Sequence, residues 1–285
     1  MMKGKIVIIT GGNAGIGLAT AKNLAEQGAE VVITSRSDEK GKSGVDEIKK
    51  ASGSSTVSYE LLELSSQKKV RAFAETIGNK YPKIDVLINN AGCFIENKVI
   101  NEDGIEMQFA TNHIGHFLLT NLLLPNLKAA GKARVICLSS MAHKSAKSLQ
   151  LNDINYEKAD YKGWGSYARS KLSNILFLRE LGKRLEGTGI STYSIHPGGV
   201  RTHIAEKNVS WYMKLGWIIL KPLMISVEEG ASTSIYLASS PEVENITGHY
   251  WHKCKQIHGS SVSRDMNLAA DLWKKSEELV GQTFS

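Results

Sequence analysis

The strongest constraint on the fold is a short apolar segment that leads directly into a glycine-rich turn. Lys5–Ile9 is a β-branched run, which predicts a buried parallel strand. The turn that follows, TGGNAGIG from Thr10, has glycines at positions 11, 15 and 17, and helix-forming residues 18–25 come next. Glycines allow a tight turn, and free N–H groups at a helix start favour negative charge. The segment therefore predicts a pyrophosphate-binding turn, with a glycine-rich turn that binds no ligand as the alternative.

The end of the next predicted strand distinguishes between two nucleotides. The strand Glu30–Ser35 is followed by Arg36, about 20 residues after the glycines. An acidic residue here would bind the ribose 2′-hydroxyl of NAD, whereas a basic one suits the 2′-phosphate of NADP. We therefore favour NADP(H) over NAD(H), with Arg36 as an ordinary solvated charge as the alternative. Asp38 is expected to cap the following helix.

The order of the elements predicts the fold class. Strands are predicted at 56–62, 85–88, 134–138 and 190–195, and helices at 39–51, 66–80, 103–124 (stopping near Pro125) and through Tyr167 to about 185. Strands and helices alternate throughout, and no linker interrupts them. We predict a single α/β domain over residues 1–285, with a Rossmann-like, doubly wound parallel sheet and helices on both faces. Residues 1–100 would form the cofactor half, and residues 101–285 the catalytic and substrate half.

Composition excludes several classes of protein. The net charge of +7 is spread along the chain in isolated pairs, so a nucleic-acid interface is not expected. The three cysteines, Cys93, Cys137 and Cys254, form no CxxC motif and are expected to be reduced. No segment approaches the ~20 apolar residues of a membrane span, and the charged N-terminus is unlike a secretory signal. We expect a cytoplasmic protein, with peripheral membrane contact left open.

A tyrosine and a lysine lie four residues apart in Tyr167-Ala-Arg-Ser-Lys171. On a helix the two side chains share a face, and the ammonium would lower the pKa of the tyrosine, which is ordinarily about 10. Such a phenol can exchange a proton with an alcohol or carbonyl oxygen. The alternative is a pair on a solvated helix face. Other polar clusters, at Asn89–Gly92, Ser139–Ser140 and His196–Gly198, follow strand ends, where open α/β sheets bind ligands.

Together these motifs resemble the short-chain dehydrogenase/reductase family over almost the full chain. The resemblance rests on TGGNAGIG from Thr10, NNAG from Asn89, the serine pair at Ser139, YARSK from Tyr167 and HPGGVRT from His196. The segment NHIGHFLLT from Asn112 and the sequence Met141-Ala142-His143 are similar to the retinol dehydrogenase branch. The resemblance implies hydride transfer with a nicotinamide cofactor.

The family implies a role for each matching position. Tyr167 would be the general acid/base, Lys171 would lower its pKa and hold the nicotinamide ribose, Ser140 would bind the substrate oxygen, and Asn112 would hold a water of a proton relay. The implied cofactor contacts are Gly11, Asn13, Gly15, Ile16, Gly17, Arg36, Glu63, Asn90, Ala91, Gly92, Tyr167, Lys171, Pro197, Gly198, Val200 and Thr202. Glu63 replaces the aspartate of many relatives. No metal is expected, because the histidines lack ligand spacing such as HExxH.

The substrate would be set by the segment after Thr202. Residues 211–220 are strongly apolar and aromatic, which predicts a hydrophobic lid around 203–226, an oligomer contact or a membrane-contacting patch over 209–224. The retinol dehydrogenase resemblance implies a retinal-like or other lipophilic carbonyl and its alcohol as substrate. A catalytically silent NADP(H)-binding sensor or scaffold is the alternative. Relatives often pair through helices that correspond to about 103–124 and 164–186, which makes a homodimer plausible.

Overall fold

Eight strands form one sheet in the computed structural model, which describes residues 2–200 and 224–284. Their order across the sheet is β3-β2-β1-β4-β5-β6-β7-β8, and all neighbours are parallel except β7 and β8. The strands are β1 (Ile6–Ile9), β2 (Glu30–Ser35), β3 (Val57–Leu61), β4 (Val86–Asn89), β5 (Ala133–Leu138), β6 (Ile190–Ile195), β7 (His249–His252) and β8 (Lys255–Ile257). This order confirms the predicted doubly wound sheet, with an antiparallel strand added at one edge.

Helices cover both faces of the sheet. They are α1 (Gly15–Glu26), α2 (Asp38–Ser52), α3 (Gln67–Lys80), α4 (Met107–Phe109), α5 (Gly115–Leu122), α6 (Leu124–Ala129), α7 (Gly163–Arg184), α8 (Val227–Ser239) and α9 (Met266–Val280). Successive strand residues face opposite sides, so Ile8 joins the core beneath α3, α5, α7 and α9, whereas Val7 and Ile9 join the core beneath α1, α2 and α8. A strand buried on both faces explains the continuous apolar run in the sequence.

The predicted helix over 103–124 is wrong at both ends. It begins at Met107, because the Glu106 carboxylate accepts hydrogen bonds from the N–H groups of Gln108 and Phe109. A π-helical turn, Ala110–Ile114, joins α4 to α5. Pro125 does not end the helical segment but lies in the first turn of α6. N–H groups in a first turn have no hydrogen-bond partner within the helix, so the N–H that proline lacks costs nothing there.

The expected capping role of Asp38 is also wrong. Ser37 is the N-cap of α2, and its hydroxyl accepts from the N–H of Lys40. Asp38 lies in the first turn, where the helix dipole favours a carboxylate. Its side chain accepts a hydrogen bond from the Tyr59 hydroxyl at 2.6 Å and pairs with Lys42 at 2.6 Å.

Strands β2 and β3 lie on one side of β1, and β4 and the later strands lie on the other. The strand order therefore switches between β1 and β4, and in such folds this switch creates the crevice where ligands bind. The glycine turn after β1, the NNAG segment at β4 and the serine pair after β5 meet at the same edge. No helix in the described parts of the chain is long and apolar enough to cross a membrane. The single-domain expectation for 1–285 and most of the lid expected over 203–226 involve residues outside the described ranges, so both stay predictions.

Candidate active site

The glycine turn is packed directly against the end of β4. Gly11 and Gly15 have φ angles of +64° and +53°, which non-glycine residues rarely adopt. A Cβ on Gly17 would lie 2.5 Å from Nδ2 of Asn90 and 2.7 Å from the carbonyl oxygen of Gly11. The glycines therefore leave the backbone at the start of α1 free of side chains, and its N–H groups can bind an anion there.

Thr10 fixes the end of β4 to this turn. Its hydroxyl oxygen accepts from the N–H groups of Asn90 at 2.9 Å and Ala91 at 3.0 Å. Asn90 returns a hydrogen bond from Nδ2 to the Thr10 carbonyl at 2.8 Å. A Cβ on Gly11 would lie 3.1 Å from that of Ala91, so the two segments touch. Gly11, Gly17, Asn90 and Ala91, all predicted to bind the cofactor, are thus brought together.

Arg36 lies at the carboxyl end of β2, where the sequence predicts a nucleotide phosphate. It lines a pocket of about 370 Å³ together with Glu63 and Lys69. The Glu63 carboxylate accepts from the Ser65 hydroxyl at 2.9 Å, within its own turn. Glu63 thus lies near the expected adenine end, but its carboxylate is already engaged with a neighbouring residue.

Tyr167 projects from α7 into an aromatic cluster with Phe94 and Trp164. The ring centroids lie 5.8 Å and 6.0 Å from that of Tyr167. Ser140 follows β5 and caps a short 3₁₀ turn by accepting from the N–H of Ala142 at 3.2 Å. Burial raises the pKa of Tyr167 to about 12, while its hydrogen bond with Ser140 opposes that rise. The expected lowering of this pKa is therefore wrong here, because desolvation outweighs the stabilisation of the phenolate.

Lys171 lies one helical turn after Tyr167, and its ammonium is 5.6 Å from the centre of the Tyr167 ring. The side chain is buried, and burial lowers its pKa. Its Nζ donates to the carbonyl of Leu138 at 3.0 Å, while Ser139 donates from its hydroxyl to the carbonyl of Lys171 at 2.6 Å. Helix α7 is therefore attached to the end of β5 by hydrogen bonds of the Lys171 side chain and of its main-chain carbonyl.

Asn112 lies in the π-helical turn, fully buried. Its Oδ1 accepts from the N–H of Cys93, and its Nδ2 donates to the carbonyl of Cys93 and to the Ser170 hydroxyl. A Cβ on Gly92 would lie 3.2 Å from Oδ1 of Asn112 and 3.3 Å from Nζ of Lys171. Asn112 therefore links α7 to Cys93, the residue that follows the NNAG segment, and Gly92 leaves open the space beside the ammonium.

The segment after β6 carries the expected nicotinamide contacts. Gly198 has a φ of +97°, and a Cβ there would lie 3.0 Å from Ile225. Val200 pairs with Ile225 in an isolated parallel bridge. Pro197 immediately precedes this glycine and joins it to β6. Thr202 lies outside the described residues, as does most of the apolar segment that follows it.

Three residues that the sequence analysis did not assign to the site belong to its polar network. They are Thr10, Ser170 and His116, whose ring bridges the Thr10 hydroxyl and the carbonyl of Asn112. For His116, the sequence offers one signal of this role, its four-residue spacing from Asn112. No group of three metal-ligand side chains occurs within 2–200 and 224–284.

The remaining predicted cofactor residues, Asn13 and Ile16, flank the glycines of the turn. A Cβ on Gly44 would lie 3.0 Å from Cα of Asn13, so the turn is also packed against α2. Ile16 lies in the first turn of α1, and its carbonyl accepts from the Thr20 hydroxyl. Both residues thus sit at the same helix start as Gly15 and Gly17.

Comparisons with known proteins agree with this geometry. A family model described as short chain dehydrogenase matches residues 5–152. Retinol dehydrogenase 12 of Mus musculus is 42% identical over 278 residues, which cover 98% of this chain and 87% of that protein. The crystal structure of an uncharacterized protein from Mycobacterium paratuberculosis superposes with a TM-score of 0.80 at 31% identity, covering 100% of this chain and 96% of the other. The RhlG/NADP active-site complex of Pseudomonas aeruginosa gives a TM-score of 0.69 at 25% identity, covering 87% and 94%.

Proposed function

The chain belongs to the short-chain dehydrogenase family, and from that premise we propose that it is an NADP(H)-dependent oxidoreductase that interconverts an apolar aldehyde or ketone and its alcohol. The observation that carries this proposal is the convergence of three groups at the end of β5. Ser140 interacts with the Tyr167 hydroxyl and acts against the rise that burial causes in the pKa of the phenol, and the ammonium of Lys171 lies 5.6 Å from the Tyr167 ring. When a phenol and a hydroxyl lie side by side, the hydroxyl can hydrogen-bond a substrate oxygen while the phenol protonates it.

The residues present fit a nicotinamide dinucleotide. Gly11 and Gly17 allow the turn to pack against Asn90 and Ala91 at the start of α1, where free backbone N–H groups favour the negative charge of a pyrophosphate. The bound cofactor would supply or accept the hydride. In reduction, Tyr167 would donate its phenolic proton to the substrate oxygen, while Ser140 holds that oxygen by a hydrogen bond. Lys171 would stabilise the resulting phenolate, and Asn112 would keep the catalytic helix in register with the NNAG segment.

The preference for NADP rests on Arg36. Its guanidinium is always charged and forms bidentate hydrogen bonds to phosphates. It borders the pocket at the ends of β2 and β3, the position where the ribose of the nucleotide lies in this type of fold. A structural neighbour, the RhlG/NADP complex, is named for the same cofactor.

The apolar substrate class rests on side chains around the catalytic tyrosine. Trp164 is 53% exposed and Met141 is 55% exposed, although both are large and apolar. Phe94 and Trp164 pack on the Tyr167 ring, and of these two Trp164 is the one with exposed aromatic surface. A lipophilic carbonyl would cover these side chains on binding. Relatives carry the name retinol dehydrogenase, which favours a retinal-like substrate for this chain.

The proposal is tested by following NADPH and NADH oxidation with purified protein on medium-chain aldehydes, retinal and aromatic ketones. We expect turnover with NADPH that Tyr167→Phe reduces by roughly 10²-fold or more. Tyr236→Phe is the matched control, because its hydroxyl donates to Glu242, an exposed side chain. Arg36→Ala should weaken NADPH binding and leave NADH binding nearly unchanged.

Two results would contradict this function. Equal use of NADH and NADPH by the wild-type protein would remove the assigned role of Arg36. Tight NADPH binding without turnover of any carbonyl would favour the alternative, a catalytically silent sensor of the same fold.

A further inference from the structure

His116 lies on α5, one turn after Asn112, with no exposed surface. Its Nε2 is 3.0 Å from the hydroxyl oxygen of Thr10, and its Nδ1 is 3.0 Å from the carbonyl oxygen of Asn112. One imidazole therefore spans the distance between the glycine turn after β1 and the π-helical turn before α5. Neither the substrate chemistry nor the cofactor chemistry proposed above gives this ring a role.

The hydrogen bonds determine which nitrogen carries the proton. Burial lowers the pKa of His116 to about 3, so the ring is neutral and carries one N–H. The carbonyl of Asn112 can only accept, so the proton is on Nδ1 and Nε2 is an acceptor. The Thr10 hydroxyl must then donate to Nε2 of His116.

Both lone pairs and the proton of the Thr10 hydroxyl then have hydrogen-bond partners. Its oxygen accepts from the N–H groups of Asn90 and Ala91, and it has a single proton to donate. The other acceptor within reach is the carbonyl of Ile88 at 3.4 Å, which is farther away than His116. The imidazole thus orients the hydroxyl so that its lone pairs face the end of β4.

A path of hydrogen bonds follows, joined within Asn112 by the covalent bonds between its main-chain carbonyl and its side chain. It runs from the N–H groups of Asn90 and Ala91 through Thr10 and His116 to Asn112, and from Asn112 Nδ2 to Ser170, next to Lys171. We propose that His116 is a positioning residue that sets the cofactor-binding ends of β1 and β4 relative to Asn112 and the catalytic helix. This inference deepens the proposed function and rests on it.

His113 provides a matched control on the same helical run. It is also fully buried, burial lowers its pKa to about 3, and its Nε2 also contacts a hydroxyl, that of Ser276 at 2.9 Å. That hydroxyl belongs to α9, so His113 links helices and does not contact the glycine turn. Replacing either histidine with phenylalanine keeps an aromatic ring and removes a contact with a hydroxyl, and His116→Phe also removes the hydrogen bond to the Asn112 carbonyl.

The first measurement is the imidazole ¹⁵N NMR spectrum of the wild-type protein labelled at histidine, with His116→Phe used to assign the signal among eight histidines. We expect His116 in the Nδ1–H form without titration between pH 5 and 8. An Nε2–H form, or titration in that range, would overturn the inference. The result does not depend on enzyme turnover.

The second measurement is the dissociation constant for NADPH, with thermal unfolding recorded for each variant. His116→Phe should weaken binding about tenfold, as expected for loss of one hydrogen bond, whereas His113→Phe should stay within about twofold. Thr10→Val should also weaken binding, and adding His116→Phe to it should cause little further loss, because the shared bond is already gone. Equal effects of the two histidine variants, or additive losses in the double variant, would overturn the positioning role.

The two hypotheses fail in different ways. If the wild-type protein binds neither NADPH nor NADH, the proposed function is wrong and the positioning role falls with it. If wild-type binding is normal but His116 has the other tautomer, only the positioning role is wrong.

Discussion

Lys171 donates a hydrogen bond from Nζ to the main-chain carbonyl of Leu138 at 3.0 Å, so its ammonium is oriented by the last residue of β5. Asn174, one turn further along α7, donates to the same carbonyl at 3.1 Å. A carbonyl dipole orients the ammonium but compensates its charge less than a carboxylate would. Burial lowers the pKa of Lys171, and a phenolate formed beside it would favour the charged ammonium.

The pH dependence should differ between the two directions of the reaction. Because burial raises the pKa of Tyr167 to about 12, the phenol is protonated throughout pH 6–9 and reduction should vary little. Alcohol oxidation needs the phenolate, whose fraction rises about tenfold per pH unit below the pKa, so kcat/KM for oxidation should rise accordingly. Initial rates in both directions measure this. A plateau of the oxidation rate below pH 8 would contradict the raised pKa.

Gly17→Ala should weaken NADPH binding more than tenfold and lower Tm. A Cβ at this position meets Asn90 Nδ2 at 2.5 Å and the carbonyl of Gly11 at 2.7 Å, and the backbone of the turn cannot move without losing its packing. Fluorescence titration and thermal unfolding measure the two effects. Gly165→Ala is the control, since a Cβ added there would lie 3.7 Å from its nearest neighbour, Cβ of Lys162. Alanine also stabilises a helix by about 1 kcal/mol relative to glycine. Wild-type affinity in Gly17→Ala would refute the close approach.

Glu106→Gln should lower the free energy of unfolding by about 3 kcal/mol, because it removes a buried carboxylate with several donors. The carboxylate accepts from the N–H groups of Gln108 and Phe109, and from the hydroxyls of Tyr161 at 3.0 Å and Ser166 at 2.7 Å. Urea unfolding gives the value. The exposed Glu75→Gln should change it by less than about 0.5 kcal/mol. Similar effects of the two variants would show that the four hydrogen bonds contribute little.

Trp164→Ala should raise KM for a long apolar aldehyde about tenfold and leave KM for a short one nearly unchanged. The indole is 53% exposed and packs against Phe94 at 6.5 Å between ring centres. Covering such a surface contributes roughly 1–2 kcal/mol to binding, and 1.4 kcal/mol corresponds to tenfold. Steady-state kinetics with aldehydes of increasing chain length measure this dependence. An equal change for short and long aldehydes would mean that Trp164 does not contact the apolar part of the substrate.

Local patterns in the sequence predicted most of the elements that carry the site. The strand before Gly11, the helix through Tyr167 and the polar residues at strand ends each follow from neighbouring residues alone. The errors in the secondary structure occurred where neighbouring residues decide how a helix begins. Pro125 begins a helix because its missing N–H costs nothing in a first turn, and Ser37 takes the capping role expected of Asp38.

The sequence by itself determined the parallel sheet, the glycine-rich turn and the four-residue spacing of Tyr167 and Lys171. Strand periodicity, glycine conformation and the helical repeat that underlie them are local properties. Only the tertiary structure decided the pKa of Tyr167 and which polar groups of the site hydrogen-bond to one another. The raised pKa of Tyr167 depends on burial by residues distant in sequence, and the bridge from Thr10 to His116 spans 106 residues. Desolvation and long-range hydrogen bonds exist only after the chain has packed, so no local pattern encodes them.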